Sequence, residues 1–182
     1  MRVRRHVEAT AFAVLLASLT GCFTVEARLD RNAAASMWLT YFAPRHATQE
    51  SERERMSSPH VRVGTFRNVY QLVRVDLAVD DVTRLATAPA FDGVAVTRTP
   101  SDGAERLDIR VPGPDAKQRA LVQSALVMAP RSKGPRITLT LPGRVLDTSP
   151  GIHVRGNRIK WYMPLAAYRD STSTALWVRY SM

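Results

Sequence analysis

Residues 72–79 read LVRVDLAV, and the alternation of these eight side chains decides the class of fold. A period of two, with one apolar and one polar side, predicts a strand that buries one face and exposes the other to water, as in antiparallel sheets. Parallel strands covered on both faces would instead read as continuous apolar runs. The apolar side consists of Val73, Val75, Leu77 and Val79, and the other side of Arg74, Asp76 and Ala78.

The same period recurs in segments spread along the chain. These segments are FTVEARL (23–29), SMWLTYF (36–42), RLDIRV (106–111), ITLTL (137–141) and IKWYM (159–163). The C-terminal ALWVRYSM (175–182) is also strand-like. Together they predict a largely antiparallel β-sheet.

Three other segments lack this period and predict helices. They are HATQESERERMSS (46–58), DDVTRLATA (80–88) and PDAKQRALVQSALVMA (114–129). The first is so polar that we expect an exposed helix or a partly ordered loop. In the second, Asp80 is a good N-cap and Pro89 follows the end, while Pro114 suits the start of the third. We therefore expect one α+β domain, a largely antiparallel β-sheet with about three helices packed on one face.

Turn-forming residues separate the predicted strands. They occur at Asp30–Asn32, Asp102–Gly103, Pro142–Gly143 and Gly156–Asn157. Gly156 and Asn157 lie between IHVR and RIKWYM, which predicts a β-hairpin.

The N-terminus carries the features of an export signal. A basic head, MRVRRHVEAT, precedes the apolar run AFAVLLASL (11–19), which is much shorter than the ~20 residues that span a bilayer. Leu19, Thr20, Gly21 and Cys22 then resemble the bacterial lipobox, and Cys22 is the only cysteine in the sequence. The resemblance implies that residues 1–21 are a signal peptide that is removed. It also implies that the Cys22 sulfur receives a diacylglyceryl group and the new N-terminus a further acyl chain such as palmitate.

This interpretation gives a single mature domain, residues 22–182, with no internal disulfide. Two or more acyl chains give stable membrane anchoring where one chain is marginal. Phe23 stands where lipoproteins retained in the inner membrane often carry Asp, so by analogy a Gram-negative envelope would place the protein on the periplasmic face of the outer membrane. The alternative is a buried Cys22 behind an ordinary signal.

The chain is strongly basic. It has 26 Lys and Arg residues against 16 Asp and Glu. Without Arg2, Arg4, Arg5 and Glu8 of the signal, 23 basic and 15 acidic residues remain, a formal charge of +8. This charge favours anionic lipid or glycolipid as a partner, whereas an exported, anchored domain seldom meets nucleic acid. The other interpretation is that the arginines reflect coding composition and spread evenly over the surface.

The C-terminal third resembles the LppM-type bacterial lipoprotein domain. In that family a strand ends in Leu-Pro-Gly-x-Val, and a Gly-containing turn and Gly-Asn-x-x-x-Trp follow. The matching positions here are Leu141, Pro142, Gly143, Val145, Gly151, Gly156, Asn157 and Trp161. The resemblance implies an envelope lipoprotein with an α/β domain that contacts lipids, and it supplies no catalytic residues.

No catalytic or metal-binding pattern accompanies these features. His46, His60 and His153 lack metal-ligand spacing, and neither a GxSxG elbow nor a P-loop occurs in the sequence. Asp80 and Asp81 are best explained as the acidic start of a helix. The charged run Glu50–Arg55 is interpreted as a solvated face with salt bridges. We therefore expect no enzyme, no metal and no cofactor.

Seven aromatic residues in three segments allow two interpretations. Either a subset packs the core and the rest are scattered, or they form a patch for an acyl chain or a sugar ring. The residues are Trp38, Tyr41, Phe42, Trp161, Tyr162, Trp177 and Tyr180. The sequence thus favours a membrane-anchored envelope lipoprotein that binds lipid or a protein partner. A structural or assembly subunit of an envelope complex is the alternative.

Overall fold

The computed structural model describes residues 24–43, 47–70, 72–113, 134–163 and 173–182, together with 116, 119, 120, 123, 169 and 170. The predicted lipobox residues Leu19, Thr20, Gly21 and Cys22 lie outside the described residues, and so does His46. Eleven strands occur in the described part of the chain. They are β1 (Thr24–Leu29), β2 (Ala35–Phe42), β3 (Val61–Val69), β4 (Leu72–Val79), β5 (Ala95–Ser101), β6 (Ala104–Pro112), β7 (Arg136–Thr140), β8 (Val145–Thr148), β9 (His153–Arg155), β10 (Arg158–Tyr162) and β11 (Ser173–Ser181).

The strands form two sheets. The large sheet has the order β3-β4-β2-β1-β7-β10-β9, and the small sheet has the order β5-β6-β11-β8. All pairings are antiparallel except that of β1 with β7, where Val25 lies opposite Ile137. A parallel neighbour requires a long crossover, and here 106 residues separate the two strands.

The hydrophobic core lies between the two sheets. One cluster of buried side chains includes Leu39 and Val75 from the large sheet and Leu107 and Val178 from the small sheet. All four are less than 4% exposed. The alternation in residues 72–79 therefore has the predicted effect, because the apolar side faces the second sheet and Arg74 faces water.

The prediction of an α+β domain with about three helices on one face is wrong. The described structure is mostly strand, arranged as two sheets, and the one α-helix whose start and end both lie within the described residues is α1 (Gln49–Met56). Thr48 caps this helix by accepting a hydrogen bond from the Ser51 N–H. The third segment predicted as a helix, 114–129, lies largely outside the described residues.

The predicted helix over 80–88 is a 3₁₀-helix, Val82–Thr87, followed by a second short one, Pro89–Phe91. Its N-cap is Asp81 rather than Asp80, because the Asp81 side chain accepts from the Thr83 N–H at 2.9 Å. Six residues that end before Pro89 gain few α-helical hydrogen bonds, and short 3₁₀ turns are the common outcome.

The predicted turns at Asp30–Asn32, Asp102–Gly103 and Gly156–Asn157 connect paired strands, whereas Pro142–Gly143 forms a bend between β7 and β8, which belong to different sheets. Asp30 Oδ1 accepts from the N–H groups of Asn32 and Ala34 and so connects β1 to β2. Gly103 has φ 64° between β5 and β6, and Gly156 has φ 64° between β9 and β10. The predicted hairpin at Gly156–Asn157 is therefore confirmed.

Candidate functional site

An apolar cavity of about 120 Å³ lies between the two sheets. Its walls come from the inner faces of both sheets and from the short 3₁₀ segments between them. None of the lining residues has a polar side chain. They are Val25, Ala27, Leu29, Ala35, Met37, Val82, Leu85, Phe91, Val94, Val96, Leu107, Ile109, Val111, Ile137, Leu139, Leu141 and Met163.

The size and position of this cavity limit what it can hold. An apolar cavity of about 150 Å³ takes up benzene, so this one has room for a short hydrocarbon segment but not for a whole membrane acyl chain. The cavity is partly open, and Val25, Ala27, Val94 and Ile109 among its lining residues are only partly buried. A ligand that enters there would be recognised by its apolar surface, since no hydrogen-bonding side chain lines the walls.

Among the turn residues singled out in the sequence, Gly156 and Asn157 of the β9–β10 turn contact the segment that crosses from the large sheet to the small one. The Asn157 side-chain amide donates to the Leu141 carbonyl at 2.8 Å, and the Leu141 N–H donates to the Asn157 carbonyl at 2.9 Å. A Cβ on Gly143 would overlap the backbone of Ser181, so only glycine fits there. Trp161 is 6% exposed and belongs to the core. The contacts of Asn157 with Leu141 and of Gly143 with Ser181 therefore fix the crossing between the two sheets.

The structure contains two buried carboxylates that sequence reasoning missed, one on β6 and one on α1. Glu105 is 5% exposed and accepts from the Tyr180 hydroxyl at 2.8 Å and from Arg98 Nη2 at 2.6 Å. Arg98 also donates to the Arg31 carbonyl at 3.2 Å, which links the small sheet to the β1–β2 turn. Glu105 is the second residue of β6 and lies close to the Asp102–Gly103 turn. Residues beside a turn are usually exposed, so the sequence does not indicate that Glu105 is buried.

The second buried carboxylate belongs to Glu52 of α1. It is 4% exposed, accepts from the Tyr41 hydroxyl and accepts from Arg55 Nη2 at 2.7 Å. The interpretation of Glu50–Arg55 as a wholly solvated face is therefore wrong for Glu52. A signal was available, because Met56 is the one apolar side chain of the helix and lies one turn after Glu52.

Burial is the main cause of the shifted pKa values of Tyr41 and Tyr180, the two tyrosines that donate to these carboxylates. It raises the pKa of Tyr41 and of Tyr180 far above the ordinary value, and the hydrogen bonds to Glu52 and Glu105 act in the same direction. The pKa of Asp81 is lowered chiefly by the Thr83 hydroxyl, as expected for a carboxylate at a helix start. The tyrosines therefore stay protonated as donors to the carboxylates.

The outer face of the large sheet is strongly basic. Directly paired residues of neighbouring strands share a face, so the strand register places eight basic side chains here against only Glu26 and Asp76 within the described residues. The eight are Arg28, Arg62, Arg67, Arg74, Arg136, Arg155, Arg158 and Lys160. We call this surface the basic face. Trp38 lies on it and is 45% exposed.

The outer face of the small sheet differs. Its register places Arg106, Arg110 and Arg179 there with Asp108 and Asp147, within the described residues. Arg106 pairs with Asp108 at 2.8 Å and lies over the Trp177 ring, with 4.6 Å from its Cζ to the ring centroid. Among the residues that the structure describes, the excess of positive charge is therefore concentrated on the basic face and is not evenly spread.

The histidines and the aromatic residues singled out in the sequence do not come together in one site. His60 contacts Asp80, with 3.1 Å from Nδ1 to Oδ1, and His153 packs edge-on against Tyr162. No group of three His, Cys, Asp or Glu residues that could hold a metal ion occurs in the described ranges. The seven aromatic residues do not form one patch: Tyr41, Trp161 and Tyr180 are buried, while Trp38 is exposed.

The described part of the chain also contains no helix long and apolar enough to cross a membrane.

Comparison with known proteins identifies the fold. No family model and no curated protein matches this sequence. A solved structure does match: the NMR structure of the folded domain of the Mycobacterium tuberculosis LppM protein, at 14% identity and a TM-score of 0.53. The match covers 87% of this chain and 89% of that domain. This chain is therefore similar in fold to the LppM folded domain.

Proposed function

We propose that this chain is an exported envelope lipoprotein, held on a membrane by acyl chains on Cys22, whose folded domain binds lipid and catalyses no reaction. The observation that carries the proposal is the wholly apolar cavity between the two sheets. The similarity in fold to the folded domain of LppM and the lipobox-like residues 19–22 support the envelope location.

The chemistry of the cavity favours hydrocarbon over a polar ligand. A sugar or phosphate group inside it would lose its hydration without gaining a hydrogen bond to a side chain, since the lining side chains are apolar. An acyl segment would instead gain ~0.8 kcal/mol for each buried CH₂. The polar end of such a lipid would stay outside, near the partly buried residues Val25 and Val94.

The contacts of the two buried carboxylates bear on the proposed absence of catalysis. Glu52 and Glu105 are each occupied by a tyrosine hydroxyl and an arginine. A carboxylate used as a general base needs a lone pair directed at a substrate proton. The geometry of both glutamates therefore fits a structural role.

Lipid bound without covalent attachment tests the proposal. The full chain carrying Cys22→Ser is purified from the producing envelope and its organic extract is compared by mass spectrometry with that of the same chain carrying Ala27→Phe. Ala27 lines the cavity, so a larger side chain there takes up the space of the ligand. Ala78→Phe is the matched control, since Ala78 lies exposed on the outer face of the large sheet.

We expect the Cys22→Ser and the Ala78→Phe chains to retain lipid, and the Ala27→Phe chain to lose most of it while still folding by circular dichroism. Equal lipid recovery from all three would contradict binding in the cavity. No lipid from any of them would favour the structural or assembly subunit instead.

A further inference from the structure

The β3–β4 hairpin ends in two exposed apolar side chains. Val69 is 60% exposed and Tyr70 is 96% exposed, and Val69 pairs with Leu72 across the two-residue connection. Val69 and Leu72 lie on the same face of the sheet as Arg67 and Arg74. The hairpin end therefore combines apolar, aromatic and basic groups in one place.

Neither packing nor turn chemistry explains Tyr70. Its φ is 50°, in the left-handed region that glycine and asparagine adopt readily and bulky residues avoid. Two-residue hairpin connections prefer Asn-Gly or Asp-Gly for this reason. An almost fully exposed tyrosine in this conformation gains nothing from the core, so its side chain is available to something outside the domain.

The two arginines beside it are also unfavourable for the isolated domain. Arg67 and Arg74 are directly opposite each other on neighbouring strands, and both are exposed. Like charges in this position repel. Neither forms an ion pair with any other residue that the structure describes. An anionic group outside the chain would relieve this repulsion.

The hairpin end lies at the same end of the large sheet as the start of β1. Thr24 pairs with Thr40, Thr40 with Arg74, and Arg74 with Arg67. Three strand spacings separate β1 from β3, which is about 14 Å. Cys22 precedes Thr24 by two residues in the sequence, so an anchored chain would enter the domain close to this hairpin.

We infer that the β3–β4 hairpin end docks on the surface of an anionic bilayer, with Val69 and Tyr70 in the headgroup region and Arg67 and Arg74 against lipid phosphates. Tyrosine suits this region because its ring is apolar and its hydroxyl is polar, and basic residues near an anionic leaflet are attracted to it. The inference rests on the proposed lipid anchor for its orientation.

A fluorescent reporter beside the hairpin end tests this. The full chain carrying Cys22→Ser has no other cysteine, so Asn68→Cys allows a single environment-sensitive label that leaves Val69 and Tyr70 in place. Asn32→Cys is the matched control, because Asn32 is exposed in the β1–β2 turn at the opposite end of the large sheet. Both labelled chains are mixed with vesicles of equimolar phosphatidylcholine and phosphatidylglycerol, and with no vesicles.

We expect vesicles to shift the emission of the label at position 68 and to protect it from an aqueous quencher, with little change at position 32. Equal protection at both positions, or none at either, would overturn the inference. Protection at position 68 without vesicles would overturn it too, since it would indicate a second copy of this chain as the occupant.

Unlabelled variants of the same chain separate the apolar and basic contributions. Tyr70→Asn suits the left-handed turn, so it should keep or raise thermal stability yet weaken vesicle association about tenfold. Arg67→Gln with Arg74→Gln should weaken it by more than about tenfold, and added salt should reduce this difference. Arg110→Gln with Arg179→Gln removes the same charge from the outer face of the small sheet and should have little effect.

If the Arg67/Arg74 and the Arg110/Arg179 substitutions weakened vesicle association equally, association would depend on net charge alone. That result would overturn the assignment to the hairpin. Every chain compared carries Cys22→Ser, so the result does not depend on whether Cys22 is acylated. A negative result at the hairpin would therefore leave the proposed anchor and the proposed cavity ligand untouched.

Discussion

Gly143 packs directly against the backbone of Ser181, so that a Cβ on the glycine would overlap the Ser181 carbonyl oxygen. Arg144 fixes this approach from both sides: its N–H donates to the Ser181 hydroxyl at 3.0 Å, and its carbonyl accepts from the Ser181 N–H at 2.9 Å. The chain can therefore cross from the large sheet to the small sheet here only because residue 143 is a glycine and has no side chain.

Gly143→Ala should consequently destabilise the domain by about 3 kcal/mol, since relief of the overlap requires β11 or the crossing segment to move. For a chain of this size the melting temperature should fall by roughly 10 °C. Gly64→Ala is the control, because a Cβ there would meet Asp76 at 3.5 Å, an ordinary contact. Similar melting temperatures for both variants would show that the crossing segment adjusts without cost.

Glu105 should matter far more to stability than Asp108, although both lie on β6. Glu105→Ala leaves the largely buried Arg98 guanidinium without its carboxylate, which should cost about 3 kcal/mol. Asp108→Ala breaks an exposed pair with Arg106 and should cost less than about 1 kcal/mol. Chemical denaturation of both variants measures the difference, and equal midpoints would contradict the structural role given to Glu105.

The two buried tyrosines predict an alkaline loss of stability. The pKa of Tyr41 and of Tyr180 is raised in the folded state, so their contribution is complete below the unfolded value of about 10 and is lost as the pH rises above it. Above pH ~10 the free energy of unfolding should fall by up to about 1.4 kcal/mol per pH unit for each tyrosine.

Denaturation between about pH 9 and 12 measures this slope. Replacing both tyrosines by phenylalanine should flatten it, whereas Tyr70→Phe should not, because Tyr70 is 96% exposed. A wild-type slope that survives the double substitution would mean that other groups govern alkaline unfolding.

Cys22 should determine membrane attachment. In a bacterial host that processes lipoproteins, Cys22→Ser should abolish incorporation of labelled palmitate and leave the chain unprocessed or soluble in the exported fraction. Metabolic labelling and fractionation measure both effects. A Cys22→Ser chain that is still cut after Gly21 and still sediments with membranes would contradict the lipobox interpretation.

Local patterns in the sequence predict individual strands well and their assembly poorly. The alternation in residues 72–79 coincides with β4, and Gly156–Asn157 forms the predicted hairpin, since both depend on neighbouring residues. The parallel contact of β1 with β7 joins residues more than 100 positions apart, and no local period encodes it. The division into two sheets was missed for the same reason.

The basic face and the cavity also depend on how the strands assemble, so the sequence alone did not predict them. The basic face exists because seven strands are in register, so the clustering of arginines is a property of pairing and not of any one segment. The prediction of a helix over 80–88 was inexact for a local reason. Six residues before Pro89 are too few to favour an α-helix over a 3₁₀-helix. The resemblance of residues 19–22 to the lipobox predicted an envelope location, but only the fold revealed a cavity.

The central claim, that lipid binds between the two sheets, is tested most directly by photocrosslinking. The full chain carrying Cys22→Ser is incubated with a palmitic acid analogue that bears a photoreactive group near its methyl end, irradiated, and mapped by peptide mass spectrometry. We predict adducts on cavity residues of β1 and β6, such as Ala27 and Ile109, that an excess of unlabelled palmitic acid removes. Adducts confined to the outer faces of the sheets, or adducts that unlabelled palmitic acid does not reduce, would contradict the claim.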